Sequence, residues 1–199
     1  MKKMMTLILA LTMLAAMIVG CAGNSNESTT DDTGTTGTNT QVAASALEVL
    51  TNIWAGFTDE EKFPVYGGDA ANLVNDAPGS YNLQDTESLG VQLLVPADQV
   101  QNITEAASLF HGMMSNNFSC GVFRVAQGVS ASAFADTMHN AVGSARWLCG
   151  TPEKTVIAVI GDEYVLMAFG LENVIDKLQE KVTAAYADAQ IKYAEAITG

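Results

Sequence analysis

The chain has 199 residues, of which 22 are Asp or Glu and nine are Lys or Arg, so its formal net charge is −13. That length is enough for one ordinary domain with additional segments. The acidity excludes a surface that binds a nucleic-acid backbone, because such a surface needs clustered Lys and Arg. The carboxylates are dispersed and lack the spacing of a calcium-binding loop. We therefore expect no metal and no cofactor, and we find no catalytic motif.

The first 21 residues have the three parts of an export signal. Two lysines follow Met1, residues 4–19 form an almost unbroken apolar run, and the last four residues read Ile-Val-Gly-Cys. This pattern is typical of a secretory signal peptide, and its end resembles the lipobox of bacterial lipoproteins. The resemblance implies that residues 1–20 are a signal peptide and that Cys21 becomes the lipidated first residue. The alternative is an uncleaved anchor helix with a coincidental cysteine.

Residues 21–42 have a composition of their own. Ser, Thr, Asn, Gly and Asp dominate this segment, and apolar side chains are almost absent. Such a segment cannot bury enough apolar surface to offset the entropy of ordering. We therefore predict a disordered, lipid-anchored tether with a mean reach of roughly 25 Å. Residues 43–199 then form a single domain on the extracytoplasmic face of the cell membrane.

The domain is predicted to begin with a helix, followed by a long irregular segment. Residues 43–57 carry apolar side chains at helical spacing, and Ser45 with Glu48 three residues later fits a capping box. Residues 58–90 are rich in turn-forming residues. A long irregular segment inside a compact domain is usually functional or mobile, so we choose it as the candidate binding loop. Its exposed-looking members are Tyr66, Asp69, Asp76 and Tyr81.

Strands and helices are predicted to alternate in the middle of the domain. Residues 91–95 form a short apolar run, and residues 98–114 carry apolar residues at helical spacing. Residues 118–125 are apolar on both faces. These three segments predict a strand, a helix and a second strand. Another helix then begins at Ser130, or two residues later, and continues to Leu148.

The last part of the domain centres on a hairpin. Residues 155–169 contain two runs rich in β-branched and aromatic residues, joined by Gly-Asp-Glu, which is a hairpin signal. Neither run alternates with polar residues, so both strands are expected inside the sheet. An amphipathic helix over residues 171–186 follows, and then an edge strand over residues 190–197, whose alanines also suit a helix. This order predicts an α+β fold: a small mixed or antiparallel sheet with a central hairpin, covered on one face by amphipathic helices.

The C-terminal part of the chain also resembles a family of uncharacterised bacterial lipoproteins that carry a domain of unknown function. The resemblance rests on the lipobox, the polar tether and the hairpin, in which an apolar run, Gly, acidic residues, Tyr-Val and a second apolar run occupy residues 156–169. It begins near Ser108 and covers less than half of the chain. It implies an extracytoplasmic lipoprotein, and it carries over no functional residue except Cys21.

Two cysteines, Cys120 and Cys149, remain once Cys21 is assigned to the lipid anchor. An even number of cysteines in an exported domain favours a disulfide, and a strand–helix unit between them would return the chain to the same edge. Closing a loop of about 30 residues would stabilise the domain by roughly 3–4 kcal/mol. The alternatives are two buried free thiols or a redox or nucleophilic role.

Two functions are compatible with these features. The first, which we expect, is a non-catalytic binding or accessory module of the cell envelope. It would be anchored in the membrane through Cys21, with an envelope protein as a possible partner. The second is an envelope enzyme, a thiol-dependent hydrolase or oxidoreductase that uses Cys120 or Cys149. Its imidazole would come from His111 or His139 and would have to lie within hydrogen-bonding distance of the thiol. A solute-binding protein is a third interpretation, although the domain is small for two lobes.

Overall fold

The structure is a computed structural model that describes residues 43–148 and 150–198. This part of the chain contains four α-helices: α1 Ala46–Ala55, α2 Thr86–Gln92, α3 Ala131–Gly143 and α4 Glu172–Ala185. It also contains eight β-strands: β1 Val65–Gly67, β2 Val74–Asn75, β3 Gly79–Ser80, β4 Ile103–His111, β5 Phe118–Val125, β6 Lys154–Ile160, β7 Tyr164–Gly170 and β8 Gln190–Ala196. The fold is α+β, as the sequence predicts.

All eight strands belong to one antiparallel sheet. Neighbouring strands follow the order β2-β1-β4-β5-β7-β6-β8, and β3 pairs with β4 next to β1. The predicted hairpin is confirmed as β6 and β7, which pair from Ile160 and Tyr164 to Lys154 and Gly170. Both strands lie inside the sheet and are buried along almost their whole length, which explains why their sequence lacks a polar alternation.

Helices cover both faces of the sheet, so the prediction of helices on one face is wrong. α1 and α4 pack on one face around Ile53 and Leu178, and α2 and α3 pack on the other around Leu89 and Met138. Two crossovers explain this arrangement: β5 connects through α3 to β6, and β7 connects through α4 to β8, each passing over one strand in the same direction. Because β5 and β7 are antiparallel and such crossovers are right-handed, the two helices must lie on opposite faces.

The chain around α2 and β4 differs from its prediction. The predicted strand over residues 91–95 is wrong, because α2 extends to Gln92 and no strand follows it there. The predicted helix over residues 98–114 is also wrong, because a short 3-10 turn leads directly into β4. In β4, Leu109 is buried on one face of the sheet and Phe110 on the other. A strand buried on both faces has apolar residues at many spacings, including a helical one, so the pattern did not separate the two structures.

The other predicted elements are confirmed, one of them in part. α1, β5, α4 and the edge strand β8 occupy the predicted segments. α3 begins after Ser130, whose hydroxyl accepts a backbone N–H at 3.2 Å, but it ends at Gly143 and does not reach Leu148. The chain turns back there, because Trp147 packs on Phe169 with 4.9 Å between the ring centroids. Leu148 is consequently 82% exposed.

The signal peptide, the lipidation site Cys21, the tether and Cys149 lie outside the described residues. What the sequence predicts for them therefore stays a prediction. Within residues 43–148 and 150–198, no helix combines the length and the apolar character that crossing a membrane requires.

Candidate functional site

The predicted binding loop is compact and forms the β2 edge of the sheet. β1 and β3 both pair with β4, and glycines bring their backbones into direct contact. A Cβ on Gly67 would lie 2.2 Å from the nitrogen of Gly79, and a Cβ on Gly68 would lie 2.1 Å from the carbonyl oxygen of Asn72. The glycine pair in this loop therefore serves close packing of the backbone, which no other residue would permit.

Asp69 lies at the centre of this loop and is 3% exposed. Its carboxylate accepts backbone N–H groups from Ala71 at 2.8 Å, Asn72 at 3.1 Å and Asn82 at 2.9 Å, and it also accepts the Asn72 side-chain amide at 3.1 Å. Burial acts to raise the pKa of Asp69, but these hydrogen bonds outweigh it and hold the pKa below its ordinary value. The carboxylate thus ties two turns together from within.

The other three predicted loop residues occupy different environments. Tyr66 is half-buried on β1. Tyr81 is 4% exposed, and its hydroxyl donates to the side chain of Gln92 at 3.2 Å. Asp76 is exposed and has a φ of 57°, in the left-handed region that Asp and Asn tolerate. The expectation of an exposed side chain is therefore wrong for Asp69 and Tyr81 and holds for Asp76.

Beside this loop, an open groove lies between the first turn of α1 and β3, and we call it the α1–β3 groove. It consists of two adjoining cavities of about 690 and 370 Å³ that share Leu47, Ser80 and Tyr81. The lining is mainly apolar. Val74, in the wall of the larger cavity, is 39% exposed, and its neighbour Leu73 is 54% exposed. A concave, mainly apolar surface with a few polar groups is the usual form of a ligand site.

The α1–β3 groove carries negative charge. The buried carboxylate of Asp69 lies in the wall of the larger cavity and that of Glu105, which pairs with Arg124, in the wall of the smaller one, and neither wall contains Lys, Arg or His. Asp76 adds an exposed carboxylate in the turn after β2. Burial, and after it the charges of Asp85 and Asp69, raises the pKa of Tyr81 to about 12, as expected for a hydroxyl in a negative potential.

The wall formed by α1 is fixed by a set of contacts that we call the N-terminal clasp. The carboxylate of Glu105 accepts the backbone N–H of Ala46 at 2.9 Å, at the start of α1. The hydroxyl of Tyr164 donates to the carbonyl of Ala43 at 3.0 Å. Arg124 in turn holds Glu105, with 3.1 Å between Nη1 and Oε1. The first residues of the domain are therefore bound to the sheet at one end of the groove.

Cys120 lies in the middle of β5 and has no exposed surface. No described residue forms a disulfide with Cys120, and burial raises the pKa of its thiol above the ordinary value. Neither His111 nor His139, both within the described residues, has a hydrogen bond to this thiol. These features oppose a nucleophilic or redox role for Cys120, because reactive thiols are exposed and have a lowered pKa. Its predicted disulfide partner, Cys149, lies outside the described residues, so the disulfide stays a prediction.

The two histidines lie on different elements and have different partners. His111 ends β4, stacks on Phe63 with 5.5 Å between ring centroids, and accepts a backbone N–H at Nδ1. His139 lies on α3, stacks on Tyr193 with 3.8 Å between ring centroids, and has its Nε2 2.6 Å from Glu195. The sequence did not predict these contacts of His139 with β8.

His139 belongs to a polar network between α3 and β8. Lys192 donates to the hydroxyl of Ser132 at 2.7 Å, to the carbonyl of the same residue at 2.9 Å, and to the carboxylate of Asp136. The hydroxyl of Tyr193 donates to that carboxylate at 2.7 Å. Lys192 donates to three acceptors in this network, and an ammonium group has no lone pair with which to activate Ser132 as a nucleophile. The network fastens the edge strand to the helix.

The described residues contain no group of three or more His, Cys, Asp or Glu side chains placed to hold a metal ion. Comparisons with protein-family models, curated proteins and solved structures found no match to the chain. The α1–β3 groove is therefore the candidate site on its geometry and charge alone. The resemblance to bacterial lipoproteins stays a prediction.

Proposed function

We propose that this chain is a lipid-anchored extracytoplasmic protein and that its domain is a non-catalytic binding or accessory module of the cell envelope. The α1–β3 groove is the observation that carries the proposal. It is open and mainly apolar, while Asp69 and Tyr81 in its wall use their polar atoms within the domain. The groove thus offers shape, apolar surface and charge without a reacting group, and such a surface recognises a ligand without transforming it.

The membrane location rests on the first 42 residues. A lipobox ending at Cys21 would supply two or more acyl chains, which are enough for stable anchoring. The tether would then hold the domain within roughly 25 Å of the bilayer. The net charge of −13 opposes direct contact with anionic lipid. The anchor therefore makes the membrane contact and leaves the groove for an envelope protein.

The alternative, a thiol-dependent envelope enzyme, loses one of its two nucleophiles. Cys120 is buried, and its thiol pKa is raised above the ordinary value. The enzyme would have to use Cys149 together with His111 or His139. His111 packs against an aromatic ring and His139 pairs with the carboxylate of Glu195, and neither has a hydrogen bond to Cys120.

Site-specific photo-crosslinking in the full chain on its own membrane tests the binding function. A photo-reactive amino acid in place of Ser80, which is exposed and lines both cavities, should give one defined crosslinked species. Val74→Lys should abolish this species, because it places a charge in the apolar wall. The same photo-reactive residue in place of Thr183, exposed on α4, should give none.

Two results would count against the binding module. One is equal labelling at positions 80 and 183, which would indicate random collision. The other is no product at position 80 in a protein that retains the circular dichroism spectrum of the wild type.

A further inference from the structure

The shape of the α1–β3 groove suits an extended chain better than a compact ligand. Its two cavities adjoin and share Leu47, Ser80 and Tyr81. Both are open to solvent, and the exposed side chains of Leu73 and Val74 continue the apolar surface at the β2 edge. A small molecule would fill one cavity, whereas a peptide with alternate side chains directed inward would occupy both.

The charge around the groove indicates the sign of its ligand. In the described part of the chain, six Lys and Arg side chains have a carboxylate within 4.0 Å: Lys62, Arg124, Lys154, Lys177, Lys181 and Lys192. Asp76 and Asp85 beside the groove have no such partner there, and no basic residue lines either cavity. A cationic ligand is therefore complementary to the unpaired carboxylates of Asp76 and Asp85 at the rim.

We propose that the α1–β3 groove binds an extended, cationic polypeptide segment whose apolar side chains enter the two cavities. This inference rests on the binding function proposed above and names the class of partner. The apolar lining provides the contact area, and the carboxylates of Asp76 and Asp85 pair with basic side chains at the rim. Anionic lipids and nucleic acids are excluded by the same charge.

Fluorescence anisotropy of labelled decapeptides tests this inference, with the full chain held in phosphatidylcholine nanodiscs. The probe alternates lysine with valine. One comparison peptide carries glutamate in place of every lysine, and another carries serine in place of every valine. We expect saturable binding of the lysine–valine peptide, at least about tenfold weaker binding of the lysine–serine peptide, and no binding of the glutamate–valine peptide.

Charge-neutralising variants locate the site. Asp76→Asn with Asp85→Asn should raise the Kd of the lysine–valine peptide about threefold to tenfold at low salt. Both changes preserve structure, because Asn tolerates the φ of residue 76 and replaces Asp85 as the cap of α2. The control is Asp59→Asn with Glu180→Gln, which removes the same charge from two exposed positions, one beyond the C-terminal end of α1 and one on α4, that line neither cavity and should leave the Kd within about twofold.

Four results would overturn the inference. Equal binding of the lysine–valine and lysine–serine peptides would show attraction of any polycation. Equal effects of the two double variants would place binding outside the groove. No binding of the lysine–valine peptide, in a protein that still gives the crosslink at position 80, would reject a cationic partner and leave the binding module intact. Loss of both signals would reject the two proposals together.

Discussion

Asp69 is the residue on which the candidate site depends most directly. It is buried and charged, and its carboxylate accepts three backbone N–H groups, of which that of Asn72 also donates to the carbonyl of Asp69 at 3.1 Å. Burial of a charge is costly unless it is fully hydrogen-bonded. The turn at Asn72 and the segment at Asn82, both in the groove wall, therefore keep their positions only while this carboxylate is present.

Asp69→Asn should destabilise the domain by about 2 kcal/mol near neutral pH, because an amide places N–H groups opposite backbone donors. The effect should depend on pH. The folded pKa of Asp69 lies below its ordinary value of 3.8, so its contribution is fully present above that value and is lost as the pH falls through the folded pKa. The asparagine does not titrate. Urea unfolding should therefore show a difference from wild type that is large at neutral pH and shrinks in acid.

Asp76, an exposed residue of the same loop, provides the control for Asp69→Asn. Asp76→Asn removes the same charge from a position that makes no buried contact, so its free energy of unfolding should stay within about 0.5 kcal/mol of wild type. A difference for Asp69→Asn that persisted unchanged into acid would mean that shape, and not the ionised carboxylate, holds the loop.

The helices and strands that were predicted correctly are those whose hydrophobic pattern fits only one type of element. The β6–β7 hairpin combines β-branched runs with a Gly-Asp turn, and α4 has a single apolar stripe, so both were predicted correctly. β4 was predicted as a helix because it is buried on both faces, with Leu109 and Phe110 facing different helical layers. α2 was missed because Leu89 is its one buried side chain, which is too little to create a periodic signal.

The candidate site could be predicted only in its approximate location. Turn-forming residues indicated the loop that contains Asp69, but the donors to its carboxylate come from two turns that are ten residues apart. Composition does not reveal such a pairing. The groove itself arises because β3 pairs with β4 beside α1, a contact between segments distant in sequence.

The edge strand β8 shows how one element resists association with other sheets. Tyr193 pairs with Ile157 and Ile191 with Ala158, so Lys192 is the extra residue of a bulge. Its side chain crosses the edge to reach Ser132 and Asp136 on α3. Bulges and inward-directed charges are the means by which natural sheets prevent pairing of their edges.

Lys192→Val should therefore promote self-association through β8, because it removes the charge and raises the β propensity of an exposed edge. Sedimentation velocity at increasing concentration should show a rise in average mass relative to wild type. Lys62→Val, the same change in a loop, is the control and should behave as wild type. If the two variants behave alike, the bulge alone protects the edge.

In the domain as a whole, the two edges of the sheet differ in how far they are blocked against further contacts. The β8 edge is closed by a bulge and a polar network, whereas the β2–β3 edge is open and forms one wall of the α1–β3 groove. The N-terminal clasp fixes the first described residues beside that groove, through Ala43 and Ala46. A force applied to the chain before Ala43 would therefore be transmitted to Tyr164 and Glu105 in the sheet before it reached Leu47 in the groove wall.

The final prediction concerns the complete chain and follows from the proposed lipid anchor on Cys21. Cleavage by a lipoprotein signal peptidase needs a lipidated cysteine after the cut, so the native protein should begin at residue 21 and carry acyl chains on Cys21. Cys21→Ser should keep residues 1–20 and gain no lipid, because a hydroxyl does not replace the thiol in diacylglyceryl transfer. Intact mass spectrometry of the membrane fraction distinguishes these forms. Cys149→Ser, which keeps the lipobox, should be processed as wild type, and a wild-type mass that starts at Met1 without lipid would identify an uncleaved anchor helix instead.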